Sequence, residues 1–569
     1  MPEITFLSEG IRISILEGQT ILDAARAAGV ILETPCNAAG ICGKCLVRVV
    51  SGRAEPLRPA GANCRHFPPP GLVLACQSGA AGDLAVEHAG GMESGLQIHA
   101  GGESVDFSLS PRIAKRHDRA AGITRIFAGE SEIGAEEGDT EGNLLGFAVD
   151  IGTTTLAAAL IDLATGEELA AVSCLNPQTV HAHDVLGRIQ FASGDGGFAR
   201  LHSEAAGAVN ALLGEALSKA GARREDVYEA VYSGNACMMH LAVGRNPAGL
   251  GRHPYKPSFR GHVSFAASDA GLAIAPCGQV YVPPFISGHV GADIVSGLAA
   301  VGLEKRFGAV LFIDIGTNGE MVLARDGTLV ASSTAAGPAF EGMNISSGMR
   351  AAEGAIEAFE LAPDGTAEIR TIGGSRPIGV CGSGLMDIVA ELAFRGGIEA
   401  NGRFADVRSS PFAGRIELAG GKRRLRLADR VYLTQKDIRQ VQLAKAAIRS
   451  GLDILLAKAG LEAGDVSEVL IAGSFGYHLR KESLVRLGLL PPVLGDRVRF
   501  VGNTSMAGAK LFLCEYGARK KAFDLAAGVE DFNLADSPEF QKFFVKAMSF
   551  PGKQEKEGVP CFIEQGVPA

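Results

Sequence analysis

Tryptophan is absent from the 569-residue sequence, and its absence excludes no class of function. Two further absences are more informative. The opening residues, MPEITFLSEG, have neither the basic nor the apolar segment of a secretory signal peptide. No apolar run approaches the roughly 20 residues that a membrane-spanning helix needs. The sequence therefore predicts a cytoplasmic protein with no membrane partner, whose cysteines are ligands or buried thiols rather than disulfides.

A surplus of positive charge is also missing, because 54 basic residues face 63 acidic ones and the net charge is -9. Nucleic acids and anionic membranes held by bulk charge are therefore not expected as partners. Glycine, in contrast, is abundant, with 75 residues. Such a chain needs many tight turns and close backbone approaches, as phosphate-binding loops do.

The length exceeds what one compact core accommodates, so two to four domains are expected. Strand and turn patterns near the start, with a helix capped by Thr20, indicate a small β-rich domain. A Gly- and acid-rich stretch follows, and strands then alternate with helices. The predicted parts are 1–90, a linker or small middle segment at 91–144, two α/β subdomains at 145–305 and 306–515, and a C-terminal extension at 516–569.

An internal repeat marks the α/β part. GFAVDIGTTTLAAALIDLATGEELA at 146–170 is similar to AVLFIDIGTNGEMVLARDGTLVA at 309–331, each a strand that ends in Asp-Ile-Gly-Thr before a turn and a second strand. Backbone N–H groups in such a turn suit phosphate, and Asp150 and Asp314 can orient Mg²⁺ and its waters. One copy alone would be an ordinary hairpin, but two copies facing one cleft favour a nucleotide site. The turn residues expected to bind nucleotide are Gly152, Thr153, Thr154, Thr155, Gly316, Thr317 and Asn318.

Two further glycine-rich turns are weaker candidates. In the first, a strand runs into AGSFG, whose Gly473, Ser474, Phe475 and Gly476 could let the backbone pass close to adenine or ribose. In the second, Gly382 and Gly384 precede an apolar helix, whose N-terminus could face phosphate. A glycine after a strand is also common structural punctuation, and for the second turn both interpretations remain open.

Four cysteines near the N-terminus predict a [2Fe-2S] cluster. Cys36, Cys42 and Cys45 form a C-x5-C-x2-C array, one residue longer in its first gap than the plant-type spacing, and Cys76 follows after a strand. Small residues between them allow backbone N–H groups to reach sulfide. A tetrahedral zinc site is the main alternative, although zinc usually takes two separated C-x2-C pairs. Cys64 is a rival fourth ligand, but its loop setting makes Cys76 the preferred one.

These residues together resemble the ATP-dependent reductive activators of corrinoid proteins. The resemblance extends from Ile4 to about Leu513. It rests on PCNAAGICGKC, LACQ, VDIGTTT, NPQ with DVLGRI, SGNACMMHL, GADI, DIGTNGE, AAGPAFEGMNISSGMRAAEGAI, CGSGLMD, QKDIRQVQLAKAAI, AGSFG and VGNTSMAGA.

The resemblance implies a fold and a function. The fold would be multidomain, with a β-grasp ferredoxin-like α+β domain followed by a duplicated α/β domain of the actin/Hsp70/sugar-kinase (ASKHA) type. The enzyme would hydrolyse ATP and pass one electron from its cluster to Co(II) in a corrinoid protein of a methyltransferase system, regenerating Co(I).

The resemblance also implies roles and partners. Cys36, Cys42, Cys45 and Cys76 would hold the cluster, Asp150 and Asp314 with their turns would hold Mg-ATP, and Gly473 to Gly476 would lie on the adenosine side. A low-potential electron donor would complete the system, and a homodimer is left open.

Other classes of function are alternatives to this one. An activator of a radical dehydratase or reductase resembles a dimer that shares a [4Fe-4S] cluster between cysteines of its ATPase domains, and no such cysteine pair is evident in this sequence. An activator of another low-potential metalloenzyme is a further alternative. A kinase fused to a ferredoxin would need a catalytic base over a small substrate, which the sequence does not identify. The non-enzymatic alternative is an ATP-dependent redox sensor or plain electron carrier.

Overall fold

The chain divides by its internal contacts into two units, residues 1–95 with 177–194 and residues 96–176 with 195–569. The computed structural model describes residues 2–16, 18–30, 32, 38, 45–57, 71–88, 107–362, 366–406, 410–473 and 479–551.

The first unit is built around a mixed sheet. Its described elements are β1 (Glu3–Phe6), β2 (Ile11–Ser14), α1 (Ile21–Ala28), β3 (Leu46–Ser51), β4 (Ala54–Pro56), β5 (Leu72–Leu74), β6 (Ser78–Ala80), β7 (Leu84–His88) and α2 (Val185–Ala192). Five strands pair in the order β2-β1-β7-β3-β5, and β1 and β2 form the expected antiparallel hairpin. Thr20 caps α1 in a capping box with Asp23, as the sequence predicts. The helix buries Ile21 and Leu22 in the core of this unit.

A small antiparallel sheet lies within the segment predicted as a linker or middle segment. Its strands are β8 (Ile113–Asp118), β9 (Ile123–Ala128) and β10 (Ser131–Glu137), in the order β10-β9-β8. The ammonium of Lys115 is buried and donates hydrogen bonds to Glu136 and to the hydroxyl of Tyr228, both at 2.8 Å. Because Tyr228 lies on the next sheet along the chain, this small sheet is fastened to the first lobe of the α/β part.

The first α/β lobe has a six-stranded sheet. Its elements are β11 (Leu145–Ile151), β12 (Thr155–Asp162), β13 (Glu168–Leu175), α3 (Gly197–Ala220), β14 (Val227–Ser233), α4 (Ala236–Ala242), β15 (Val263–Ala266), β16 (Gln279–Val282) and α5 (Ala292–Ala300). The strand order is β13-β12-β11-β14-β16-β15. The central strand β11 pairs antiparallel with β12 and parallel with β14.

The second α/β lobe repeats this arrangement. Its elements are β17 (Ala309–Ile315), β18 (Gly319–Arg325), β19 (Thr328–Thr334), β20 (Ala355–Leu361), β21 (Ala367–Thr371), β22 (Gly379–Val380), α6 (Gly382–Arg395), β23 (Ile416–Ala419), β24 (Lys422–Ala428), β25 (Val431–Thr434), α7 (Gln435–Lys458), β26 (Val466–Ala472), α8 (Lys481–Leu487), β27 (Val498–Gly502), α9 (Thr504–Cys514), α10 (Tyr516–Gly528), β28 (Val529–Asp531) and α11 (Phe540–Ala547). The main sheet has the order β27-β26-β17-β18-β19-β28. Here β17 pairs antiparallel with β18 and parallel with β26, as β11 does with its own neighbours. The duplicated fold predicted from the repeated Asp-Ile-Gly-Thr sequence is therefore confirmed.

The described part of the predicted C-terminal extension, 516–551, packs against the α/β lobes. Strand β28 joins the edge of the second main sheet beside β19, and α11 packs on α7. The buried ammonium of Lys445 on α7 donates to the carbonyl oxygens of Ala547 and Ser549 at 2.7 and 2.6 Å. Helix α9, which lies within the predicted second subdomain, packs against β11 and β14 of the first sheet instead. Among the described helices, none is long and apolar enough to cross a membrane.

A buried ion pair ties α10 to the first lobe. Arg519 donates two hydrogen bonds to the carboxylate of Glu229, at 2.9 and 2.6 Å, and both side chains are almost completely buried. Removing Arg519 leaves the buried carboxylate of Glu229 with only the partly exposed Arg112, at 3.3 Å, and breaking a buried pair costs up to about 3 kcal/mol. We expect Arg519→Leu to lower the free energy of unfolding by this amount in chemical denaturation. Lys520→Leu is the matched control, because Lys520 is exposed and pairs only at the surface with Asp524. Equal stability of the two variants would contradict this role.

Candidate functional site

The two Asp-Ile-Gly-Thr turns face one cleft of about 450 Å³. The first turn joins β11 to β12 and the second joins β17 to β18. The predicted nucleotide residues that line this cleft are Asp150, Gly152, Thr153, Thr154, Thr155, Asp314, Gly316, Thr317, Asn318 and Gly382. The structure thus brings both halves of the repeat to a single site.

The two turns close in similar ways. The amide of Gly152 donates to the carbonyl oxygen of Thr155 at 3.0 Å, and the amide of Gly316 donates to that of Asn318 at 2.9 Å. A Cβ atom at Gly152 would lie 2.6 Å from the carbonyl oxygen of Thr155, so the first turn requires glycine. The side-chain amide of Asn235 donates a hydrogen bond to the hydroxyl of Thr153 at 3.0 Å. These bonds fix the backbone that faces the cleft.

The other predicted glycines fall into different settings. A Cβ atom at Gly384 would lie 2.1 Å from the carbonyl oxygen of Ile356, so close packing of α6 on β20 accounts for this glycine. Gly473 has a φ of 123° and lies beside Asp314, since a Cβ atom there would be 3.5 Å from its carboxylate. The remaining predicted residues of that turn, Ser474, Phe475 and Gly476, lie outside the described residues.

Four carboxylates crowd the floor of the cleft. Asp150 and Asp314 end the central strands, Asp293 lies in the first turn of α5, and Glu320 lies on β18. Burial and the neighbouring Asp314 raise the pKa of Asp293 to about 7. Burial and the charge of Asp150 raise the pKa of Asp314 to about 7. Burial, then Asp293 and Asp314, raise the pKa of Glu320 well above its usual range. The site therefore favours a ligand that brings positive charge.

Asp150 is held differently from Asp314. The side chains of Asn503 and Ser505, at the start of α9, each donate to its carboxylate at 2.8 Å. Burial raises the pKa of Asp150, and these two hydrogen bonds oppose that effect. Among the described residues, no hydrogen bond stabilises the carboxylate of Asp314.

Several residues of the cleft were missed by the sequence analysis. Asp293, Glu320, Asn503 and Ser505 all lie within the motifs that carry the resemblance, GADI, DIGTNGE and VGNTSMAGA. Apart from those motifs, no repeat or ligand-type spacing in the sequence predicted a place for them in the cleft. Glu341, which also lines the cleft, belongs to the GPAFEG sequence. Within the described part of the chain, no three His, Cys, Asp or Glu side chains are arranged to hold a metal ion directly.

The described part of the cysteine site brings two predicted ligands together. The Sγ atoms of Cys45 and Cys76 lie 3.2 Å apart, and both side chains are buried. Their backbones are linked, since the amide of Ala75 donates to the carbonyl oxygen of Cys45 at 2.8 Å. The side-chain amide of Gln77 lies 3.7 Å from the sulfur of Cys76, as a hydrogen bond to a cluster thiolate would require.

The other cysteines in question are not covered. Cys36 and Cys42, and the rival ligand Cys64, lie outside the described residues. Two converging thiols on rigid backbone fit either a cluster or a closed metal site.

Three family models match successive parts of the chain. The 2Fe-2S iron-sulfur cluster binding domain matches residues 4–81, the RACo middle region matches 145–306, and the C-terminal domain of RACo, the ASKHA domain, matches 308–559. The ferredoxin and ASKHA parts of the predicted fold are therefore confirmed.

Individual relatives agree with these models. The corrinoid activation enzyme RamQ of Eubacterium limosum is 34% identical over 425 residues, which are 72% of this chain and 71% of that protein. The [Co(II) methylated amine-specific corrinoid protein] reductase of Methanosarcina barkeri is 28% identical over 297 residues, 48% of this chain and 52% of that protein. A solved structure of a reductive activator for corrinoid, iron-sulfur protein is 29% identical, with a TM-score of 0.73 over 97% of this chain and 98% of that one.

The family resemblance predicted from the sequence motifs is thus confirmed, and the chain belongs to the RACo family of corrinoid-protein reductive activators.

Proposed function

We propose that this protein reductively activates a corrinoid protein of a methyltransferase system, returning Co(II) to Co(I) by one-electron transfer in a step that depends on ATP. One observation supports it best: a single chain contains both a buried cysteine pair in a ferredoxin fold and two Asp-Ile-Gly-Thr turns that face one acidic cleft. The electron would come from the reduced protein, which a low-potential donor must then reduce again.

Cys36, Cys42, Cys45 and Cys76 are the proposed ligands of the [2Fe-2S] cluster. Cys45 and Cys76 fit this role because their thiols are buried and already converge. When bound, such a cluster supplies single electrons at low potential, near −400 mV for plant-type clusters. The side chain of Gln77 would donate a hydrogen bond toward the Cys76 sulfur and so help to tune that potential.

The cleft is the proposed site of Mg-ATP. Six carboxylates line it against one guanidinium among the described residues, so ATP without a cation would be repelled. Asp150 and Asp314 would orient a hydrated Mg²⁺, which commonly keeps its waters and joins protein carboxylates to phosphates. Gly152 to Thr155 and Gly316 to Asn318 would bind the phosphates. Gly473 would lie on the adenosine side together with Ser474 to Gly476.

ATP can favour cobalt reduction only if its binding and hydrolysis change how the protein interacts with the corrinoid protein. The two lobes meet at the cleft, and lobes of such clefts commonly open and close around a ligand. A docking face that differs between the ATP-bound and hydrolysed forms would therefore couple the two activities.

The proposal is tested by following Co(I) absorbance without oxygen. We expect the dithionite-reduced protein to convert a Co(II) corrinoid protein to Co(I). The final ratio of Co(I) to Co(II) should be at least about tenfold higher with Mg-ATP than without it, a difference equivalent to about 59 mV for one electron. A non-hydrolysable ATP analogue separates binding from hydrolysis. Equal Co(I) formation with and without ATP would favour the plain electron carrier instead.

A further inference from the structure

The carboxylate of Glu341 links the two Asp-Ile-Gly-Thr turns. One of its oxygens accepts a hydrogen bond from the hydroxyl of Thr154 at 2.7 Å, and the other accepts one from the hydroxyl of Thr317. Thr154 lies in the turn of the first lobe, whereas Thr317 lies in the turn of the second. A single side chain therefore joins the two lobes across the cleft.

The backbone beneath Glu341 is fixed on both sides. The amide of Gly337 donates to the carbonyl oxygen of Thr317 at 2.9 Å, which ties this segment to the second turn. A Cβ atom at Gly382 would lie 1.7 Å from the carbonyl oxygen of Phe340, so the N-terminus of α6 packs directly against it. The backbone position of Glu341 is thus fixed by the fold, and only its side chain is free to rotate.

A phosphate oxygen and a carboxylate oxygen compete for the same donors. Both are anionic acceptors that form strong hydrogen bonds with hydroxyl groups. In a cleft that several other carboxylates already line, a phosphate beside the charged Glu341 would also be repelled. Binding of phosphate at the two turns therefore opposes the link that Glu341 makes.

We propose that Glu341 and the phosphates of ATP are alternative partners of the Thr154 and Thr317 hydroxyls, so that nucleotide binding releases the link between the lobes. This inference rests on the proposed function, because it requires the cleft to bind nucleotide phosphates. Loss of this link removes one of the constraints on the separation of the two lobes, which gives the nucleotide a direct mechanical effect on the protein.

The inference is tested by titration calorimetry on the full-length protein, purified without oxygen and with its cluster intact. Glu341→Gln keeps the size of the side chain but removes its charge. We expect the variant to bind Mg-ATP about tenfold more tightly than the wild type, a change equivalent to about 1.4 kcal/mol. Its affinity for adenosine should be unchanged, because adenosine has no phosphate to compete with the carboxylate.

The control is Glu357→Gln. Glu357 lines the same cleft, and its carboxylate accepts a hydrogen bond from Arg370 at 3.1 Å. It reports the general effect of removing one negative charge, which should be smaller than the effect at Glu341. If Glu341→Gln does not fold, Glu341→Asp replaces it, since the shorter carboxylate cannot span both hydroxyls and should also tighten Mg-ATP binding.

Unchanged or weaker Mg-ATP binding in the folded Glu341 variant would overturn the inference while leaving the proposed function standing. Equal tightening by Glu341→Gln and Glu357→Gln would also overturn it, because charge alone would then explain the result. A wild-type protein that binds no Mg-ATP at all would refute the proposed function itself, and the competition at Glu341 with it.

Discussion

Replacing either Cys45 or Cys76 with serine should abolish the [2Fe-2S] cluster and every reduction that depends on it. The two sulfurs lie 3.2 Å apart in the core of the ferredoxin unit, so each is placed to ligate the same small centre. A cluster of this type needs four protein ligands. We expect about two irons and two labile sulfides per chain in the wild type and only residual amounts in either variant, with loss of the visible absorbance and of the EPR signal after dithionite reduction.

Two further cysteine variants serve as controls. Cys64→Ser should keep the cluster, which decides between Cys64 and Cys76 as fourth ligand. Cys514→Ser should also keep it, because Cys514 lies on α9 of the ATPase part, where burial raises the pKa of its thiol to about 11. Stoichiometric zinc without labile sulfide in the wild type would contradict the cluster assignment. ATP hydrolysis in the absence of corrinoid protein should survive in all four variants.

The sequence predicted those parts of the molecule whose information is local. The hairpin of β1 and β2, the Thr20 cap of α1 and the two strand–turn–strand units each lie within a short stretch, where alternation and capping patterns determine the structure. The repeat also predicted that Asp150 and Asp314 would share one cleft, because two equivalent strands in a duplicated fold end at equivalent places.

Features that depend on distant parts of the chain were not predictable in this way. The carboxylate of Asp150 is held by Asn503 and Ser505, which lie some 350 positions further along the chain. No local pattern places α9 against β11 and β14, because that packing is decided by the complementary surfaces of two lobes. The crowding of Asp293 with Asp314 has the same origin. Only the folded structure reveals that Asp314 raises the pKa of Asp293.

The small sheet of the middle segment was not predicted from the sequence for a different reason. Strands β8 to β10 are short and contain many charged residues, and the turns between and after them contain glycine, a composition typical of a linker. Lys115 is a charged residue type, yet its side chain is buried, because Glu136 and Tyr228 accept hydrogen bonds from its ammonium. From sequence alone a charged residue is predicted to be exposed. Its burial depends on partners that are distant in the sequence.

Asp314→Asn should abolish ATP turnover and the ATP-dependent part of cobalt reduction while leaving the cluster spectrum unchanged. In the proposed site this carboxylate orients the hydrated Mg²⁺, and an amide of the same shape cannot supply its negative charge. We expect the rate of ATP hydrolysis to fall at least about 100-fold, which corresponds to roughly 2.7 kcal/mol of lost transition-state stabilisation. Asp150→Asn should act in the same direction. The measurement is phosphate release with and without the Co(II) corrinoid protein.

Loss of folding can be separated from loss of function in this variant. Burial and Asp150 raise the pKa of Asp314 to about 7 in the folded protein, above its ordinary value of 3.8. The unfolded chain therefore ionises this group more readily, so its contribution to stability falls as the pH rises from about 4 to 7. At pH 7.5, Asp314→Asn should consequently unfold no more easily than the wild type. Asp326→Asn is the matched control, because Asp326 is exposed on the turn after β18 and its φ of 49° suits asparagine equally well. Full ATP turnover in Asp314→Asn, or an equal loss in Asp326→Asn, would mean that the two repeated turns have only a structural role.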